Sequence, residues 1–213
     1  MAALLPLERL DLSWCDELRG DAVAALWACC PRLRRVSLRC ADLRCSGSAA
    51  SGGNHDAGVA VGAGSGAAEA QGGATLPASF AAAFGAVREC SMLVELDLGR
   101  CEGIDDGVLL HLVKLARLLQ DVDIAWCDVS DAGATALLRE LPQLRRASLQ
   151  GCKRLGKSML GLARDAAELR WLDLSWCNSI DPEDVQTFVN EVRPDMEVVD
   201  YYAETVRVAA KLS

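Results

Sequence analysis

The hexapeptide Leu-Asp-Leu-Ser-Trp-Cys stands at Leu10 to Cys15 and again, unchanged, at Leu172 to Cys177. With five Trp and ten Cys among 213 residues, chance does not account for the match; the chain repeats itself. Registering the sequence on the two copies exposes the pattern L-x-x-L-x-L-x-x-C. Leu7, Leu10, Leu12 and Cys15 fill it first, and Leu93, Leu96, Leu98 and Cys101 fill it again. Leu119, Val122, Ile124 and Cys127 follow, then Leu144, Ala147, Leu149 and Cys152, then Leu169, Leu172, Leu174 and Cys177. The last four copies are 26, 25 and 25 residues apart. Leu33, Val36 and Leu38 give a further copy whose cysteine comes one place early at Cys40, and Met196, Val199 and Tyr201 give a degenerate seventh.

Two apolar residues at spacing two mark a short strand with one buried face, and the period lies in the range of stacked repeat arrays. Between the strands the sequence turns helical. Asp21, Asp106, Asp131 and the pair Asp181-Pro182 each precede an apolar helical stretch, Asp as a cap for the free amides of the first turn and Pro182 at the first helical position. A unit of strand, loop and helix cannot bury its apolar side alone, so neighbours must stack. The expected fold is α/β: a curved solenoid of six to seven repeats, parallel strands inside and helices outside, spanning residues 1–213 as one domain. The exception is Ser46 to Ala74, a Gly/Ala/Ser-rich stretch with nine Gly, expected to be a flexible insertion within the second repeat.

The in-register cysteines, the stretch CPRL at Cys30 to Leu33, its echo CSML at Cys90 to Leu93, and the helix starts I-D-D-G and V-S-D-A-G resemble the cysteine-containing leucine-rich repeats of F-box/leucine-rich-repeat proteins. The resemblance implies a protein–protein interaction scaffold. Within it, a substrate-recognition subunit of a cullin-type ubiquitin ligase needs an F-box module of some 40 residues before the repeats, and here the first repeat begins at Leu7. A fixed subunit of a larger assembly, similar to the leucine-rich subunits of the nexin-dynein regulatory complex of motile cilia, is therefore the preferred expectation. Only MAALLP precedes the first strand, which leads to the further expectation that a partner subunit covers the first repeat, unless the chain is a fragment of a longer protein.

A net charge of −8 argues against general binding to nucleic acid or membrane surfaces, which rely on Lys and Arg, and favours a basic partner. No apolar run approaches a membrane span, and the start lacks the form of a secretory signal, so an intracellular location is expected, in cytoplasm or cytoskeleton, including a ciliary axoneme. Phosphate-binding, nucleophile-elbow and zinc-protease motifs are missing, and the two histidines, His55 and His111, have no nucleophile beside them in the pattern. No enzyme activity and no cofactor is expected. Cys15, Cys101, Cys127, Cys152 and Cys177 fall one per repeat without C-x-x-C pairing, which favours buried structural thiols over a metal site. Cys40 and Cys45 flank the insertion and are expected to be the thiols most open to oxidation.

Strand side chains alternate, so residues between and beside the leucines face away from the core. One such column reads Asp11, Ser37, Asp97, Asp123, Ser148, Asp173 and Asp200; the one before it reads Arg9, Arg35, Glu95, Asp121, Arg146, Trp171 and Val198. Glu95, Asp97, Asp121 and Asp123 are expected to form one exposed acidic patch on adjacent strands. Either Asp belongs to a soluble L-D-L repeat, with Arg100 and Arg146 relieving the repulsion, or the patch docks basic residues of a partner. Trp14, Trp126 and Trp176 share the place before the repeat cysteine, where they either pack on the next turn or present an aromatic edge. The candidate partner-binding residues are Glu95, Asp97, Asp121, Asp123, Trp126, Arg146, Trp171, Asp173 and Trp176.

Overall fold

The computed structural model describes residues 6–15, 17–43 and 92–208. The expected insertion at 46–74 and Cys45 lie outside them. Seven parallel strands follow the repeat: β1 (Arg9–Asp11), β2 (Arg35–Ser37), β3 (Glu95–Asp97), β4 (Asp121–Asp123), β5 (Arg146–Ser148), β6 (Trp171–Asp173) and β7 (Glu197–Val199), each hydrogen-bonded to the next in chain order. An eighth, β8 (Thr205–Val206), turns back antiparallel on β7. Among the described residues the helices are α1 (Gly20–Cys29), α2 (Asp106–Leu115), α3 (Asp131–Glu140), α4 (Ser158–Asp165) and α5 (Pro182–Thr187), the last running into a π-helical turn at Phe188–Val192. One core runs the length of the stack, built from the leucine columns on the strands and the inward faces of the helices. Leu38, Leu98, Ile124, Leu149 and Leu174 are each fully buried in successive rungs.

The register matches the sequence residue for residue from Arg9 to Asp173. The last rung differs. Val198 pairs with Leu172 and Val199 with Asp173, one place earlier than the sequence pattern suggests, so Glu197 and not Val198 continues the outward column, and Val199 stands where Asp200 was expected. Val198 is fully buried, and Asp200 is buried in the turn to β8, where it accepts the amides of Tyr202 and Glu204.

The caps also shift by a residue or more. Asp105 caps α2 through a bond from the Val108 amide, and Ser130 caps α3 through the Ala132 amide. Asp106 and Asp131, expected as caps of their own helices, instead reach one rung on. Asp106 accepts the Ser130 amide at 2.8 Å, the Ser130 hydroxyl at 2.6 Å and the Gly133 amide at 3.2 Å. Asp131 accepts the Gly156 amide at 2.8 Å and the Ser158 hydroxyl. These carboxylates tie neighbouring helix starts together. In α1 the position before the helix is Arg19, not Asp21, and its guanidinium is committed to Asp42 of the next rung. Asp181 and Pro182 stand as expected, with Pro182 in the first turn of α5, although Asp181 makes no side-chain cap bond. Near the last rung Arg193 is buried and donates to the carbonyls of Ala163, Ala166 and Leu169, which ties the turn after α4 to the last rung.

Candidate functional site

Two columns of side chains face the concave side. The first is Arg9, Arg35, Glu95, Asp121, Arg146, Trp171 and Glu197; the second is Asp11, Ser37, Asp97, Asp123, Ser148, Asp173 and Val199. Residues from Arg9 to Asp123 line a shallow groove of about 610 Å³ across β1 to β4. The structure does bring Glu95, Asp97, Asp121 and Asp123 together, but as half-buried members of ion pairs and not as a free acidic patch. Arg35 Nε lies 2.9 Å from Glu95, and Arg146 Nε lies 3.3 Å from Asp121. Arg39 spans two rungs: its Nε is 3.0 Å from Asp97 and its Nη2 bonds Asp123. The Ser37 hydroxyl donates to Asp97 at 3.0 Å.

Arg39 is the residue that sequence reasoning missed. It follows β2 outside the leucine pattern, and Gly99 in the next rung leaves room for it: a Cβ on Gly99 would fall 2.8 Å from Arg39 Nη1. Arg100, expected to relieve the acids, instead stacks its guanidinium over Trp126 at 5.1 Å, while Arg146 does relieve Asp121 and also lies 4.3 Å over the Trp171 ring. Burial pushes the Asp123 carboxyl above its ordinary value, opposed by the Ala125 amide and Arg39; burial does the same to Asp121, opposed by Arg146. Burial works against the charge on Arg39, but Asp123 and Asp97 together overcome it and hold the guanidinium above its usual value.

The Asp of each L-D-L triplet has a local task as well. Asp11, Asp97, Asp123 and Asp173 each accept, through Oδ1, the amide two residues on, at 2.8 to 3.0 Å. This closes the turn by which the chain leaves the strand, and at Asp97 and Asp123 leaves Oδ2 for Arg39.

That turn ends in a left-handed residue once per rung: Trp14, Cys40, Arg100, Trp126, Gly151 and Trp176 have φ between 58° and 67°. Their amides donate to the next rung at 2.7 to 3.2 Å, which is what the conformation achieves. For a side chain other than glycine it costs about 1–2 kcal/mol. Three of the six are tryptophans, 71%, 38% and 48% exposed in chain order. Trp126 is the most tightly held. Its ring sits against Gly151, where a Cβ would approach it to 2.5 Å, and its Nε1 donates to Gln150 at 3.2 Å. Gln150 donates to the Ser175 hydroxyl, which donates to Asp173, so a chain of bonds joins the edge to the concave column. Trp176 packs beside Tyr201 at 5.9 Å, and Tyr201 meets the exposed Tyr202 edge-on at 5.2 Å. Gly151→Ala is expected to destabilise the chain by about 1–2 kcal/mol through a strained φ and a displaced ring. A denaturant melt followed by tryptophan emission checks both effects.

The cysteine column is a set of hydrogen-bonded thiols. Sγ of Cys101, Cys127, Cys152 and Cys177 donates to Leu38, Leu98, Ile124 and Leu149 of the preceding rung at 2.9 to 3.4 Å. Desolvation pushes Cys101 and Cys152 up to about 12 and Cys177 to about 11, and raises Cys127 in the same way. A thiol held neutral as a donor is a poor nucleophile at pH 7. Cys15 is exposed, and Cys29 and Cys40 are half-buried. Native alkylation read by mass spectrometry is expected to label these three long before the buried Cys30, Cys101, Cys127, Cys152 and Cys177; rapid labelling of Cys127 would contradict the ladder.

A family model described as Leucine Rich repeat matches residues 116–138, the span from the end of α2 through β4 into α3. The fold is similar to the crystal structure of an internalin (inlF) from Listeria monocytogenes, with 12% sequence identity and a TM-score of 0.47 over 82% of this chain. This chain spans 36% of that one's length. The parallel ladder, the stacked leucine columns and the outer helices make the chain a leucine-rich-repeat solenoid of the α/β class.

Proposed function

We propose that this chain is a non-catalytic protein–protein interaction module that holds its partner against the concave ion-pair mosaic and the tryptophan edge. The carrying observation is the conformational cost of that edge. Trp14, Trp126 and Trp176 occupy left-handed backbone yet remain substantially exposed, so neither local preference nor burial accounts for their bulk. Tryptophan and arginine beside one another, as in Trp126 with Arg100 and Trp171 with Arg146, are the side chains that most often dominate binding energy. Because Glu95, Asp97, Asp121 and Asp123 are already paired, a basic partner must exchange with Arg35, Arg39 and Arg146 and not simply add to a free acidic field. Asp173 supports the site by orienting Ser175, Gln150 and through them Trp126.

In finer terms the module serves as a fixed subunit of a larger intracellular assembly, of the kind represented by the nexin-dynein regulatory complex of the axoneme. Support comes from the resemblance of the cysteine-bearing repeats to F-box-like leucine-rich proteins. The test is purification of the tagged chain from its own cells. Axonemal proteins among the partners support the assembly reading; a cullin and its adaptor contradict it in favour of a ubiquitin ligase. Trp126→Ala with Trp176→Ala is expected to reduce partner recovery at least ten-fold and also to lower the melting temperature, since Trp126 packs on Gly151 and Trp176 on Tyr201, so recovery is compared at a temperature where circular dichroism shows both proteins folded. Equal recovery from the double variant removes the edge from the binding surface.

A further inference from the structure

The first rung is covered differently from the rungs beyond it. Leu93, Leu96, Leu98 and Cys101 are buried, whereas at the matching places Leu7 is 40% exposed, Leu10 and Leu12 are half-buried and Cys15 is exposed. Among the described residues β1 is the end strand of the sheet and pairs only with β2. The Leu12 amide donates to Ser37, and the Arg35 amide donates to Glu8, so the even-numbered residues of β1 turn their main-chain groups toward β2. The alternation of a strand then leaves the N–H and C=O of Arg9 and Asp11 on the outer edge. The same two residues project charged side chains on the concave face, and among the described residues neither is in an ion pair, although Arg35 one strand over is paired with Glu95. Bonds from Ser13 hold the Asp11 carboxyl below its ordinary value, so it is ionised at neutral pH.

We propose that this edge binds a second copy of the chain, β1 against β1, antiparallel and centred on Leu10. In that register Arg9 faces the partner's Asp11, and the two exchange both main-chain bonds, because those are the residues whose groups point outward. Their side chains meet on the concave face, and the two-fold axis repeats the pair with Asp11 and the partner's Arg9. Leu10 meets its own copy on the core side. The sequence Arg-Leu-Asp is self-complementary only in this antiparallel sense; a parallel copy would set Arg9 beside Arg9 and Asp11 beside Asp11. The contact is isologous and therefore closes at two subunits.

Sedimentation equilibrium of the full chain tests the register through charge swaps. The wild type is expected to dimerise reversibly. Arg9→Asp places Asp against Asp, and Asp11→Arg places Arg against Arg, so each variant alone is expected to associate at least ten-fold more weakly. An equimolar mixture of the two restores both pairs and is expected to recover the dimer, as is the double swap Arg9→Asp with Asp11→Arg. Circular-dichroism melts establish that each variant is folded, and Arg9→Asp leaves the Ser13 turn untouched if Asp11→Arg does not fold. A wild type that stays monomeric overturns the proposal, as do single variants that dimerise like wild type or, where both fold, a mixture that does not associate. Trp126 and Trp176, on distant rungs, play no part in this outcome.

Discussion

Leu98→Ala is expected to lower the unfolding free energy by about 2–5 kcal/mol, read as a shift of the denaturant midpoint. Leu98 is fully buried, in a column with Leu38 before it and Ile124 after it. The void left by alanine cannot close easily. Main-chain bonds from Leu38 to Asp97 at 2.8 Å and from Leu98 to Asp123 at 2.7 Å fix the rungs on both sides. Since each repeat leans only on its neighbours, one loosened rung also weakens the stack on either side. Leu7 holds the first leucine position of its own repeat but is 40% exposed, and Leu7→Ala is expected to cost under about 1 kcal/mol. A Leu98→Ala loss as small as that for Leu7 would contradict the repeat register.

The register was legible because burial repeats with the period. Leu96, Val122, Ala147 and Leu172 are buried at one place in successive rungs, and a single frame satisfies them all. At the last rung that constraint fails, since Val198 and Val199 are both apolar and the π-helical turn at Phe188–Val192 changes the length of the connection. The sheet bonds decide between the two valines; hydrophobicity does not. Helix starts show a related limit. Asp105-Asp106 and Ser130-Asp131 each offer two capping residues in a row, and the second serves the neighbouring rung about 25 residues on. A cap supplied across rungs leaves no local signature.

The candidate site was half legible for the same reason. Alternation placed Glu95, Asp97, Asp121 and Asp123 together, but their neutralisation depends on where long side chains end. The position directly after the last apolar residue of the repeat pattern reads Ser13, Arg39, Gly99, Ala125, Gln150 and Ser175. One arginine beside a glycine in the next rung is the signal that would have exposed Arg39. The tryptophan edge was visible as a column, whereas its left-handed backbone was not, because Trp is not a residue that normally announces that conformation.

Arg39→Met is expected to cost about 1–3 kcal/mol at pH 7, between the small worth of an exposed ion pair and the larger loss on breaking a buried one. The methionine keeps the apolar stem but removes the charge that Asp97 and Asp123 share across adjacent strands. Burial already raises Asp123 above its ordinary 3.8, and Arg39 is one of the groups that restrain it. Without Arg39 the carboxyl rises further. A raised carboxyl binds its proton more tightly in the folded chain than in the unfolded one, so its contribution to stability is full below the unfolded value and is lost as pH rises through the folded one. The variant's deficit should therefore be small near pH 3 and develop as the pH is raised toward 7. Adding Asp123→Asn to Arg39→Met should recover part of the neutral-pH loss, since Asn retains an oxygen for the Ala125 amide and carries no charge. Denaturant titrations of the wild type and the two variants from pH 3 to pH 7 read this directly. A deficit that does not change with pH would show that Arg39 stabilises the chain by packing alone and that the acids across β3 and β4 do not depend on it.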